Sequence, residues 1–143
     1  LSTNGEGQFS LADAAGKYII LYFYPKDDTP GCTKEAIGFS EASTAFDAQN
    51  AMVVGVSRDT VKKHDKFVGK YDLRIPLISD EEGSLCEAFS TWVEKSMYGK
   101  TYMGIERATF LISPDGKVLH IWRKVKVPGH VEEVLAQLQS LKS

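Results

Sequence analysis

Lys17 to Tyr24 (KYIILYFY) is a nearly continuous run of apolar, β-branched and aromatic residues that stops at Pro25. A run of that kind predicts a central strand buried on both faces. Ala51 to Ser57 (AMVVGVS) predicts a second. Between them, a segment from Thr29-Pro30-Gly31-Cys32 to about Asn50 is long enough for a helix, which makes a β–α–β unit of the sort that builds parallel sheets. The pattern repeats with a helix near Thr60 to Tyr71 and a short strand at Ile75 to Ser79. Ser84 then starts another helix, with Glu87 at the spacing of a capping box.

Arg107 to Ile112 and Lys117 to Ile121 flank Ser113-Pro114-Asp115-Gly116, a turn sequence between apolar runs, so a hairpin is expected there. The last helix begins near Gly129 and places Val131, Val134, Leu135, Leu138 and Leu141 on one face. Trp92, Met97, Tyr98, Tyr102 and Met103 decorate a stretch read as a loop packing on the core; the alternative is an apolar rim of the active site, or a surface for dimerisation. Strand–helix units followed by a hairpin and a closing helix predict an α/β fold of one domain, residues 1–143. The best match is a thioredoxin-like sandwich, a mixed central sheet with helices on both faces.

Composition narrows the function. The chain carries 25% charged residues and a net charge of −2, without the basic surplus that nucleic-acid or anionic-membrane binding usually needs. Its densest basic stretch, Arg123-Lys124-Val125-Lys126, reads as a solvated strand end. No apolar run approaches the roughly 18 residues that span a bilayer, and no signal peptide is visible. The chain starts at Leu1, which leaves open a removed leader. With two cysteines, a disulfide scaffold is out, and the expectation is a cytoplasmic protein that keeps thiols for chemistry.

Cys32 is the thiol to examine. Thr29 suits the N-cap of the first long helix and Pro30 its first position, which puts Cys32 in the first turn. There a sulfur meets unpaired backbone N–H groups and the positive end of the helix dipole, both of which favour a thiolate. The preceding strand fixes this turn at the carboxyl edge of the sheet, where open α/β sheets place their sites. Cys32 could also be a small buried hydrophobe. The polar, turn-forming run Lys26-Asp27-Asp28-Thr29-Pro30-Gly31 before it favours reactivity.

The run Tyr22-Phe23-Tyr24-Pro25-Lys26-Asp27-Asp28-Thr29-Pro30-Gly31-Cys32-Thr33-Lys34-Glu35 resembles the active-site signature of peroxiredoxins: proline, three residues, threonine or serine, two residues, cysteine. Its wording is similar to that of the bacterioferritin-comigratory-protein, or peroxiredoxin Q, subfamily. Gly55-Val56-Ser57-Arg58-Asp59, Leu77-Ile78-Ser79-Asp80 and Gly104-Ile105-Glu106-Arg107-Ala108-Thr109-Phe110 extend the likeness over nearly the whole chain. The resemblance implies a thiol-dependent peroxidase for hydrogen peroxide and organic hydroperoxides. Cys32 would be the peroxidatic cysteine, Thr29 and Gly31 would meet the bound peroxide, and Pro25 would shield the thiolate. Arg107 would stabilise the thiolate and polarise the peroxide, whereas without the family it reads equally as a surface arginine. Glu35 could orient Arg107, or be a solvated helix residue.

The product would be a Cys32 sulfenic acid, which another thiol must reduce. The positions where family members carry a resolving cysteine are here Ile37 and Val68. Only Cys86 remains, and it lies between Leu85 and Phe89 in what reads as a core face, so structural burial is favoured over a resolving role. A one-cysteine cycle follows, recycled by thioredoxin or by glutathione with glutaredoxin, in a monomer or weak homodimer. His64 on a polar helix, His120 in a strand and His130 near the last helix show no ligand spacing with either cysteine, and no metal or cofactor is expected. Thiol–disulfide exchange is disfavoured by the missing first cysteine of a C-x-x-C. The alternative of another class is a redox sensor or binding module switched by Cys32 oxidation.

Overall fold

The structure is a computed structural model and describes residue 3 and residues 16–142. A five-stranded sheet has the order β3-β2-β1-β6-β7. Its strands are β1 (Tyr18–Phe23), β2 (Ala51–Ser57), β3 (Leu77–Ser79), β6 (Ala108–Ile112) and β7 (Val118–Trp122). β1 pairs in parallel with β2, and β2 with β3; β6 runs antiparallel to both β1 and β7. This is the expected mixed sheet of a thioredoxin-like sandwich, with β1 at its centre. Alternate β1 side chains enter different cores, as the pleat requires. Ile20, Tyr22 and Tyr24 face one core and Ile19, Leu21 and Phe23 the other.

The first core is covered by α1 (Pro30–Glu41), α2 (Ser43–Ala48), α3 (Val61–Tyr71) and α5 (His130–Lys142), through Phe39, Phe46, Phe67, Val134 and Leu138. The second is covered by α4 (Ser84–Ala88) and a hairpin of β4 (Trp92–Met97) and β5 (Lys100–Ile105), through Cys86, Trp92 and Ile105. Helices therefore lie on both faces, but only the five-residue α4 is on the second. Among the described residues no helix is long and apolar enough to cross a membrane.

Several expectations need correction. The helix read from Thr29 to Asn50 is broken at Ala42, whose backbone (φ −87°, ψ 1°) bends the chain and sends Phe46 into the core beside Phe39. Ser84 is not the N-cap of α4: Gly83 holds that position with φ 78°, and the Asp80 carboxylate takes the free N–H groups of Leu85 and Cys86. Residues 92–105 are a hairpin, not a loop. Tyr98 and Gly99 both have positive φ (54° and 77°), the conformation of a two-residue turn that matches strand twist. Leu141, expected on the buried stripe of α5, is exposed, whereas Val134 and Leu138 are fully buried. Arg123 is not simply solvated; its Nε lies 2.9 Å from Glu106.

Candidate active site

β1 delivers the chain to the carboxyl edge of the sheet, where Tyr24 N–H still bonds to Val56 carbonyl at 3.0 Å. The next residues turn back into α1. Asp28 adopts φ 56°, Thr29 is extended (φ −102°, ψ 155°), and Pro30 opens the helix. Thr29 thus occupies the N-cap position, but its hydroxyl donates to the Lys26 carbonyl at 2.9 Å instead of capping the helix. The free lone pairs of that oxygen stay available to another donor. Cys32 follows at the third helical position, 1% exposed and packed with Tyr22, Ala36 and Phe39.

Arg107, the residue before β6, joins this turn. Its Nη2 donates to Cys32 Sγ at 3.3 Å and its Nη1 to Glu35 Oε1 at 2.7 Å. One planar guanidinium so spans the sulfur and the carboxylate, a geometry lysine could not copy. Gly31 makes room for it: a Cβ there would come within 3.1 Å of Arg107 Nη2. The resemblance linked Cys32, Gly31, Glu35 and Arg107 as one site, and the fold gathers all four at the start of α1.

Glu35 is fully buried, not solvated. Burial pushes its carboxyl up to about 7, against the opposing pull of Arg107. Burial alone would lower the pKa of Arg107, but the charges of Glu35 and Cys32 outweigh it and hold the guanidinium above its ordinary value. Tyr22 lies beneath, its phenol raised by burial and then by Glu35 and Cys32.

Pro25 is exposed and lines a cleft of about 500 Å³ together with Trp92, Lys95, Tyr102, Met103 and Ile105. Trp92, Tyr102 and Met103 form an apolar wall of this cleft, which Cys32, Thr29 and Arg107 do not line, and Tyr98 sits fully exposed at the hairpin tip. The side chain of Met97 lies outside the described residues. Lys95 was missed from the sequence. Its pKa is lowered by burial and then by Arg107, while Cys32 opposes the shift, which places a second cation within electrostatic reach of the sulfur. No signal in the sequence pointed to it, because residues 92–97 (WVEKSM) show no alternation of apolar and polar positions.

Cys86 is in the other core, on the far side of the sheet from Cys32, and both cysteines are free. Burial, then a hydrogen bond with Asp80, pushes the Cys86 thiol up to about 12. His64 corrects another reading: it is completely buried, bonded to Asp27 and to the Ile78 carbonyl. His130 is buried too, against the Thr109 hydroxyl at 2.8 Å.

A buried sulfur at a helix start, held by an arginine that a carboxylate orients, is the equipment of a thiol-based redox enzyme on a thioredoxin-like sandwich. Residues 1–121 match the AhpC/TSA family. The chain is 51% identical over 140 residues to peroxiredoxin Bcp of Xanthomonas campestris, covering 98% of this chain and 88% of that one. It is 50% identical over 131 residues to peroxiredoxin Bcp of Bacillus subtilis, covering 92% and 83%. Among solved structures, a Xylella fastidiosa PrxQ mutant superposes with a TM-score of 0.97 at 45% identity, covering 100% of this chain and 89% of that one. Xanthomonas campestris bacterioferritin comigratory protein, studied for alkyl peroxide reduction, superposes with a TM-score of 0.95 at 49% identity, covering 100% and 91%. The chain belongs to the AhpC/TSA family, in its bacterioferritin-comigratory-protein (peroxiredoxin Q) branch, and is a thiol peroxidase.

Proposed function

We propose that the protein reduces hydrogen peroxide and organic hydroperoxides by a one-cysteine cycle centred on Cys32. The observation that carries this reading is the Arg107 guanidinium at 3.3 Å from Cys32 Sγ, oriented by Glu35. A thiolate at Cys32 is stabilised by Arg107 and by the N–H groups of the first turn of α1. It attacks one oxygen of ROOH, the S–O bond forms as the O–O bond breaks, and the electron pair leaves on RO⁻. A proton from solvent converts RO⁻ to ROH, or to water when the substrate is hydrogen peroxide, and Cys32 is left as sulfenic acid. Charge grows on the departing oxygen, so donors already aimed there lower the barrier. Arg107 supplies such donors. Thr29, with its lone pairs free, accepts from the peroxide O–H, and Gly31 keeps the guanidinium close. Pro25 screens the mouth from water.

The placement of Cys86 in the opposite core supports reduction by an external thiol. A disulfide requires α-carbons within about 7 Å, and the sheet stands between these two cysteines. The incoming thiol forms a mixed disulfide with Cys32 and releases water; a second thiol then frees Cys32. Thioredoxin and glutathione with glutaredoxin are the two reductant systems this cycle accommodates. Peroxide consumption followed with each system in turn tests the reading. Turnover with at least one, abolished in Cys32→Ser and unchanged in Cys86→Ser, is expected; dependence on Cys86 would overturn the one-cysteine cycle.

A further inference from the structure

The two consecutive aspartates before Thr29 have no part in the chemistry above, yet both are gripped from one helix. Asp27 is buried, and its Oδ2 lies 2.6 Å from His64 Nδ1 on α3. Its Oδ1 accepts from Tyr24 hydroxyl at 2.6 Å, and its backbone N–H donates to Asp59 Oδ2 at 2.8 Å. Nearly two turns further along α3, Lys70 Nζ reaches Asp28 Oδ2 at 2.9 Å and Tyr71 hydroxyl reaches Asp28 Oδ1 at 2.6 Å. Asp28 is also the residue held at φ 56°, a conformation that costs a non-glycine residue free energy and persists only where the surroundings enforce it.

We propose that α3 is the clamp that sets the position of the catalytic loop, with His64 as its buried grip on Asp27 and Lys70 with Tyr71 as the outer grip on Asp28. The inference rests on Cys32 being the peroxide-reactive thiol. His64 is anchored at its other end, because Nε2 lies 3.0 Å from the Ile78 carbonyl of β3. The ring therefore bridges the sheet to the loop that ends in Thr29, three residues before the nucleophile. Asp59 closes the far side, since its Oδ2 also accepts from Ser57 hydroxyl at 2.7 Å and its carbonyl from Ser79 hydroxyl at 2.6 Å. Loops at the carboxyl ends of β1, β2 and β3 are thus tied into one buried network. Asp27, Asp59 and His64 bring their ligating atoms within 4.8 Å of one another, as a cation site would. Both Asp27 carboxylate oxygens, both His64 ring nitrogens and Asp59 Oδ2 are already committed to protein partners, so the cluster functions as a clasp.

The geometry assigns distinct roles to the two ring nitrogens. His64→Asn preserves a donor at the place of Nδ1, facing Asp27; His64→Gln preserves one at the place of Nε2, facing Ile78. Two rates separate positioning from fold: oxidation of Cys32 by hydrogen peroxide, and alkylation of Cys32 by iodoacetamide, which needs access but not the peroxide geometry. In His64→Gln, oxidation should slow about tenfold with alkylation no slower, and His64→Asn should recover most of the loss. The surface variant Lys70→Met with Tyr71→Phe should slow oxidation about threefold, and decides the matter if the His64 variants do not fold. Equal oxidation rates in His64→Asn and His64→Gln, or an unaltered rate in the surface variant, would overturn the clamp. A wild-type protein inert to peroxide would instead overturn the proposed function, and the clamp with it.

Discussion

Arg107 does the most at the level of single residues, because one side chain contacts both the sulfur and the carboxylate that orients it. Arg107→Met should lower the rate of Cys32 oxidation by hydrogen peroxide roughly 10²- to 10³-fold, measured by stopped flow. Arg107→Lys should recover only part of this, since an ammonium cannot span both partners. Glu35 carries a pH signature. Its folded pKa of about 7 lies above the ordinary value of 4.5, so the folded state binds the proton more tightly than the unfolded chain. The stability conferred by the protonated carboxyl is present in full below 4.5 and is lost as pH rises through 7. The loss is on the order of 3 kcal/mol. Urea unfolding of Glu35→Gln beside wild type should show the difference between the two moving in favour of the variant across this window. A constant difference from pH 4.5 to pH 8 would mean the carboxyl does not titrate there.

At the scale of elements, the strands were legible wherever both faces are buried. β1 and β2 read directly from KYIILYFY and AMVVGVS, because an all-apolar run has few other places to go. The β4–β5 hairpin was not legible. It lies over one face of the sheet with charged and aromatic residues interleaved, and its turn is Tyr-Gly rather than the Asn-Gly that announces such hairpins. Gly99 holds φ +77° in open space, so Gly99→Ala should cost about 1 kcal/mol from backbone strain alone. Gly69 is also in open space but lies within α3, where Gly69→Ala should stabilise by about 0.5–1 kcal/mol. Opposite shifts of the two melting temperatures test the assignment of turn and helix together. The capping of α4 illustrates another limit of sequence reading. Ser84 and Glu87 have the spacing of a capping box, but Asp80, brought there by the end of β3, reaches the free N–H groups first.

For the whole molecule, topology does what no local motif could. Cys32 and Arg107 are separated by about half of the chain, and they meet because β6 inserts antiparallel beside β1 and carries Arg107 to the start of α1. The resemblance to peroxiredoxins named that partner; the pattern of residues by itself left Arg107 ambiguous. The burial of His64 was hidden for a related reason, since Lys62, Lys63, Asp65 and Lys66 surround it in sequence and only the packing of α3 turns it inward. The sheet also separates the two thiols: Cys86 is a core residue with its thiol pushed up to about 12, and the proposed cycle assigns the reaction to Cys32. That division is the central claim, and intact mass of the reduced protein after one equivalent of hydrogen peroxide, with no reductant present, tests it most directly. The expected product is one oxygen heavier, with the modification trapped on Cys32 and the Cys86 thiol unchanged. A product lighter by two hydrogens, with Cys32 linked to Cys86, would contradict it.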